Sequence, residues 1–316
     1  MKKNKKRKWA KKDYFLFTTA LLGLIYLLIF AYGPMVGVIL AFKDGNNKLN
    51  VLKAMFETKW VWFDNFKEFL QDQKFLDVLL NTLGLNLIML FINFPAPIIF
   101  ALLINEVRNK KYKKVVQSAS IFPHFLSWVI FGGIIIALTD MTTGVINPLL
   151  YQLGIGSKNN PINLQTADYF WGVIIISSLI KGTGWGSIIY LASIAGIDPT
   201  IYEAATMDGA NRFQKARYIT LPLISGTITV YLLLTISNLL ANSFEQFYVL
   251  QNAANLSRSE VLATFIYKNG IIWRKYSFTA AIGLFEATVG IILLTISNKI
   301  SKKVSGRGLF GNAKQI

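Results

Sequence analysis

Six stretches of this chain, near 14–42, 76–104, 115–138, 170–195, 222–244 and 278–300, are almost continuously apolar. A helix rises 1.5 Å per residue, so about 20 apolar residues cross the roughly 30 Å hydrocarbon core of a bilayer. In that medium every backbone N–H and C=O must be paired within the segment, and a helix achieves this without a partner. The runs therefore predict an all-α polytopic membrane protein with six transmembrane helices. Composition agrees: 53% of residues are hydrophobic and 16% charged, where a soluble domain carries about a quarter charged.

The first run follows "MKKNKKRKWAKK". A basic start before an apolar run resembles a secretory signal, but this run is about twice a signal's apolar region and has no A-x-A exit. It reads as an uncleaved anchor. The net charge of +17 does not point to nucleic acid, because the basic residues cluster at the ends of the runs, where anionic headgroups account for them. About 21 of the 33 Lys and Arg lie in 1–13, 105–114, 196–221 and 299–316. By the positive-inside rule those segments are cytoplasmic, giving an N-in/C-in orientation. With no cysteine and one histidine, His124, the chain lacks the ligands for thiolate or histidine metal sites and disulfides, and no metal is expected.

On the other side, "KWVWFDNFKEFLQDQKF" (59–75) reads as a short surface helix with Asp64 as N-cap and Phe66, Phe69 and Leu70 on one face. Trp60 and Trp62 suit the interfacial belt. Segment 139–169 is turn-rich, holding Gly144, Pro148, Gly154, Gly156 and Pro161. Pro95, Pro97 and Pro123 are expected to kink spans.

Between the fourth and fifth runs lies "EAATMDGANRFQKARYITLP" (203–222). Asp198-Pro199 starts a helix, as N-cap and first helical residue. Gly209 permits a bend or left-handed turn, and "NRFQKARY" forms a second short helix. Ala204 and Ala205 give a face with almost no side chain, open to close approach. Glu203, Asp208, Arg212, Lys215 and Arg217 surround it with paired charge. The hairpin is either a docking plug for a partner protein or an ordinary surface helix pair.

Glu203-Ala204-Ala205, three residues, Gly209, nine residues, Ile219, one residue, Leu221-Pro222 resembles the EAA motif of permeases in binding-protein-dependent ABC importers, with each fixed position met. "YGPMVGVILAFKD" (32–44), "NTL" (81–83), "NEVRNKKYKK" (105–114), "FPHFLSW" (122–128) and "IYEAATMDGANR" (201–212) are similar to the carbohydrate class of these permeases, and to its oligosaccharide and polysaccharide branch. The resemblance implies the type I importer permease fold in a bacterial cell membrane: a basic cytoplasmic tail at 1–13, a segment 14–75 holding a first helix that wraps a partner permease and an extracytoplasmic loop with a surface helix, a core of spans two to six at 76–300, and a cytoplasmic tail at 301–316. It implies that loop 196–221 couples to an ATPase through Glu203, Ala204, Ala205, Asp208, Gly209 and Arg212. Implied partners are a cytoplasmic ABC ATPase dimer carrying ATP and Mg, a second homologous permease in a heterodimer, an extracytoplasmic solute-binding protein, and a sugar or oligosaccharide.

The chain itself has no G-x-x-x-x-G-K-[ST] phosphate loop. "KGTGWGS" (181–187) lies within the fourth run and reads as close helix packing or a helix break. No Ser–His–Asp arrangement is evident, and His124 reads as a packed or backbone-bonded side chain, so the chain is not expected to be an enzyme or to bind a cofactor.

Ionisable groups at depth are functional candidates. Lys181 lies about 11 residues into the fourth run, roughly 16 Å deep, and Glu286 about 8 residues into the sixth, roughly 12 Å. An ion pair between them, structural or gating, is the hypothesis. Tyr231, Asn238, Asn242 and Glu245 recur at helical spacing and are expected on one face of a fifth helix. Lining a polar path, the last three would meet sugar hydroxyls, with Tyr190, Trp185 and Trp128 offering rings. Interhelical hydrogen bonds and interface belts explain the same residues. The leading reading is an importer permease for a sugar or oligosaccharide. The alternative is an ion-coupled secondary transporter working without an ATPase, with Lys181 and Glu286 carrying the coupling.

Overall fold

The computed structural model describes residues 11–48, 50–306 and 308–309. The expected tails, 1–13 and 301–316, fall largely outside them. Helix α1 (Lys11–Leu27) runs on through a π turn and a 3₁₀ stretch to Phe42. Short helices α2 (Val51–Phe56) and α3 (Asp64–Gln71) follow. α4 (Phe75–Ile92) and α5 (Pro95–Asn105) make one long segment. α6 (Lys110–Phe125), α7 (Trp128–Thr139) and α8 (Ile146–Gln152) lead to α9 (Ala167–Ala195). Then come α10 (Pro199–Met207), α11 (Arg212–Lys215) and α12 (Leu221–Ser237), the last two joined by a π turn at Ala216–Thr220. α13 (Phe244–Leu250), α14 (Leu256–Ser259) and α15 (Leu262–Tyr267) precede the long α16 (Tyr276–Ser305). The described residues hold isolated bridges but no strand.

Five segments are long and apolar enough to cross a membrane: Lys11–Phe42, Phe75–Asn105, Ala167–Ala195, Arg212–Ser237 and Tyr276–Lys303. The third expected span differs. α6 and α7 meet at 100°. Pro123 is tolerated inside α6, and the break comes at Leu126 and Ser127, both extended. Ser127 then caps α7 by accepting the Ile130 N–H at 3.3 Å. Pro95 sits at the first position of α5, where a missing N–H costs nothing. The fifth helix stops at Ser237, short of the expected 244. Asn238 there turns its amide back onto the Leu234 carbonyl at 2.8 Å, competing with the backbone ladder.

The chain divides into two compact units. The first takes the described parts of 1–70 with 269–284. Leu40, Ala54 and Met55 form its core, with Tyr276 and Ala280 against them. Asn65 is buried and donates to the carbonyls of Ala41 (3.0 Å) and Lys43 (2.9 Å). In α3, Asn65 and Phe69 face inward while Leu70 is exposed. Asp64 lies in the first turn of α3 rather than before it as an N-cap.

The second unit takes 71–268 and the described residues from 285 onward. α9 is its hub, packed against α5, α6, α12 and α14. One core gathers Leu85, Phe170, Ile174, Phe247, Leu250 and Val261, and another Ile98, Ala101, Tyr190, Ile194 and Ile224. α9 and α6 approach closely at Gly184, where an added Cβ would lie 2.1 Å from the Ser120 carbonyl oxygen. The glycine-rich stretch 181–187 is thus a packing surface in an unbroken helix. Outward faces stay apolar, with Phe91, Ile176 and Ile291 all more than half exposed, as suits helices whose solvent is lipid.

Candidate functional site

The hairpin after α9 forms as its caps dictate. Asp198 accepts the Thr200 N–H at 2.9 Å, and Pro199 opens α10. That hydrogen bond holds the exposed Asp198 carboxyl below its ordinary range. The cap's contribution is therefore complete above the unfolded carboxylate range and is lost as pH falls through the lower folded value. Gly209 adopts φ +77° and reverses the chain. Asn211 and Gln214 then form a reciprocal capping box that starts α11. None of the α10 residues is buried, and Glu203, Ala204 and Asp208 are exposed.

The charges are not paired within the hairpin. Arg212 Nε lies 3.7 Å from Glu106, at the end of α5, and Lys215 donates to Thr206 Oγ1 at 3.0 Å. This leaves the carboxylates of Glu203 and Asp208 free of ion pairs among the described residues. Two hydroxyls tie the hairpin to the next helix: Tyr202 Oη and Thr220 Oγ1 are 2.9 Å apart, with Thr220 buried in the π turn. This contact links α10 to the turn that leads into α12.

Lys181 and Glu286 do not form the expected ion pair. Lys181 Nζ donates to the carbonyls of Pro123 and His124, each at 3.1 Å, and of Leu126. These acceptors lie at the end of α6, where the last carbonyls carry a partial negative charge; the Pro123 carbonyl also accepts the Leu126 N–H at 3.3 Å. The lysine therefore pins the break in the bent span, and its ammonium also lies over the Trp128 ring (5.2 Å). Glu286 is half-buried on α16 and pairs with no lysine or arginine among the described residues.

Beside the break is a cavity of about 480 Å³, within the range of small-ligand sites. α4, α5, α9 and α12 build its walls. Asn86, Asn93 and Asn238 bring amides, Ser178, Thr183 and Thr235 hydroxyls, and Trp185, His124 and Tyr231 rings. His124 is stacked flat on Trp185, centroids 4.3 Å apart and planes at 3°.

Of the six substrate-path residues expected, Asn238 and Trp185 line this cavity. Asn242 and Glu245 are not on the fifth helix, because α12 has ended: Asn242 lies in the connection and donates to Asn86 Oδ1 at 3.0 Å, and Glu245 is exposed in the first turn of α13. Tyr190 is fully buried behind Tyr231, its hydroxyl without a partner, and Trp128 lies under Lys181. Sequence reasoning missed Asn86 and Asn93, which sit on α4 and in the link to α5. The signal was there: amides in a run of otherwise apolar residues call for a partner or a cavity. It also missed Glu260, buried and held by Lys74 (3.1 Å) and Lys268 (3.0 Å).

Residues 85–306 match the family described as binding-protein-dependent transport system inner membrane component. Protein LplB of Bacillus subtilis (strain 168) is 43% identical over 300 residues, covering 95% of this chain and 92% of that protein. The polygalacturonan/rhamnogalacturonan transport system permease protein YteP of the same organism is 38% identical over 312 residues, 98% and 95% of the two chains. Among solved structures, a chain of a bacterial alginate ABC transporter in complex with an alginate pentasaccharide-bound periplasmic protein superposes with a TM-score of 0.82 at 34% identity. The match covers 95% of this chain and 98% of that one.

Proposed function

Because the chain belongs to the family of binding-protein-dependent transport system inner membrane components, and is an ABC importer permease of the cell membrane, we propose that it passes a sugar or oligosaccharide. It works beside a second homologous permease. An extracytoplasmic binding protein delivers the substrate, and a cytoplasmic ATPase dimer holding ATP and Mg drives the cycle. The names of the relatives support a glycan as substrate. The observation that carries the ATPase reading is the exposed α10–Gly209–α11 hairpin, a small-residue face with two unpaired carboxylates. Nucleotide-driven movement of the ATPase shifts α10. Tyr202–Thr220 passes the shift to α12, and the spans move between two access states. The motif faces the cytoplasm in the N-in/C-in arrangement. The chain itself performs no hydrolysis.

The ion-coupled alternative loses its main support, since Lys181 is committed to backbone carbonyls. Purification from the native membrane in mild detergent separates the two readings. A nucleotide-binding subunit and a second permease should come with the chain. Transport by the chain reconstituted alone would reverse the conclusion.

Two substitutions refine the assignment. Gly209→Val forces a β-branched residue into left-handed backbone, at about 1–2 kcal/mol or more. It should release the ATPase and cut uptake at least tenfold, while the spans remain folded by circular dichroism. Trp185→Ala removes the exposed ring on the cavity wall and should raise the half-saturating substrate concentration about tenfold, the equivalent of about 1.4 kcal/mol.

A further inference from the structure

We propose that the glycan accepted by this chain is uncharged: a neutral saccharide, or one whose uronic acids are esterified, but not a free uronate. The proposal rests on the sugar reading above and narrows it. Its ground is the chemistry of the cavity wall. None of the residues that line it is Asp, Glu, Lys or Arg. Every polar side-chain group they offer is an amide, a hydroxyl, the Trp185 indole N–H or the one imidazole.

That set suits hydroxyls well. An amide donates and accepts, a hydroxyl does both, and each can pair with a sugar OH in either direction. It does not suit a carboxylate. An anion moved from bulk water against a wall of apolar spans and neutral polar groups bears a desolvation cost unless a cation meets it. Lys181, next in sequence to the wall residue Gly182, is not part of the wall. Its ammonium is already turned to three carbonyls at the end of α6 and covered by Trp128 and Phe131. His124 is held face to face against Trp185, and one imidazole cannot serve several carboxylates.

The inference cuts against two relatives. Polygalacturonan is a polymer of uronic acid, and alginate is described as an acidic polysaccharide. Their names alone would assign an acidic substrate here.

A matched pair of probes isolates the charge. An oligogalacturonate trimer and its fully methyl-esterified form share a skeleton and differ in three carboxylates. The complex, purified from the native membrane without the binding protein, is placed in nanodiscs of zwitterionic lipid, and both trimers are titrated by saturation-transfer NMR. The ester should bind at least tenfold more tightly than the acid. Thr235→Lys, which sets a cation on the wall in place of a hydroxyl, should raise the acid's affinity and weaken the ester's, narrowing or reversing the ratio between them. Equal or tighter binding of the acid to the unaltered complex overturns the proposal while leaving the sugar reading intact. Binding of neither trimer, nor of neutral gluco-, xylo- and arabino-oligosaccharides, overturns the sugar reading with it.

Discussion

Replacing Gly184 with alanine should unseat α6 from α9 and leave little extractable folded protein. The added methyl would lie 2.1 Å from the Ser120 oxygen, 2.3 Å from its carbonyl carbon and 2.8 Å from the Ile121 nitrogen. All three are backbone atoms, so no rotamer change relieves the clash and one helix must move bodily. Overpacking of a core costs about 1–3 kcal/mol where side chains can adjust. Here the cost should exceed about 3 kcal/mol, a large share of a folded protein's typical margin. Gly182→Ala is the control. It lies one half-turn away on the same helix, and its added Cβ meets nothing within 4 Å. The two variants should therefore differ sharply in monodisperse yield and thermal midpoint in detergent. Equal behaviour would show that α6 and α9 do not pack as described.

The second large effect is at Lys181. Methionine keeps the apolar stem and removes the ammonium, so the carbonyls of Pro123, His124 and Leu126 lose their shared donor. The Pro123 carbonyl keeps the Leu126 N–H, so the loss falls on His124 and Leu126, where an unpaired acceptor costs about 1–3 kcal/mol, less where water reaches it. A total of about 3 kcal/mol is expected for Lys181→Met, with Lys181→Arg milder because it retains donors. The loss should be local. Hydrogen exchange should rise around 126–127, in the link from α6 to α7, more than along α9. The double exchange Lys181→Glu with Glu286→Lys should rescue nothing, since a glutamate at 181 would face carbonyl oxygens. Recovery of stability or uptake in that double variant would restore the ion pair.

Much of this architecture is legible in the sequence because the bilayer enforces it. The apolar runs, the Asp198 cap and the left-handed Gly209 each follow from a local rule, and each stands in the structure. The EAA spacing likewise falls on the hairpin. What escaped depends on backbone groups, which carry no letter. Lys181 pairs with carbonyls, so a search among acidic side chains picked Glu286. The run 115–138 is apolar enough to read as one helix, yet a two-residue link turns it by 100°. In the fifth run, Asn238 ends the helix that its own spacing seemed to continue. A periodicity argument cannot see its own terminus, so Asn242 and Glu245 were placed on a face that does not exist.

The π turn at Ala216–Thr220 has a consequence for how such chains align. A π turn holds one more residue than the α turn it replaces while the flanking helix keeps its direction. Since each α residue advances about 100° around the axis, a helical wheel drawn straight through from Arg212 rotates Tyr231, Thr235 and Asn238 by about that angle from where they lie. A relative one residue shorter between the motif's glycine and its Leu-Pro pair would present the same side chains to the cavity. Single-residue gaps at 216–220, and at the other two π turns, 28–32 and 268–272, are thus silent for the lining. A gap of the same size inside α12 would turn the whole wall away.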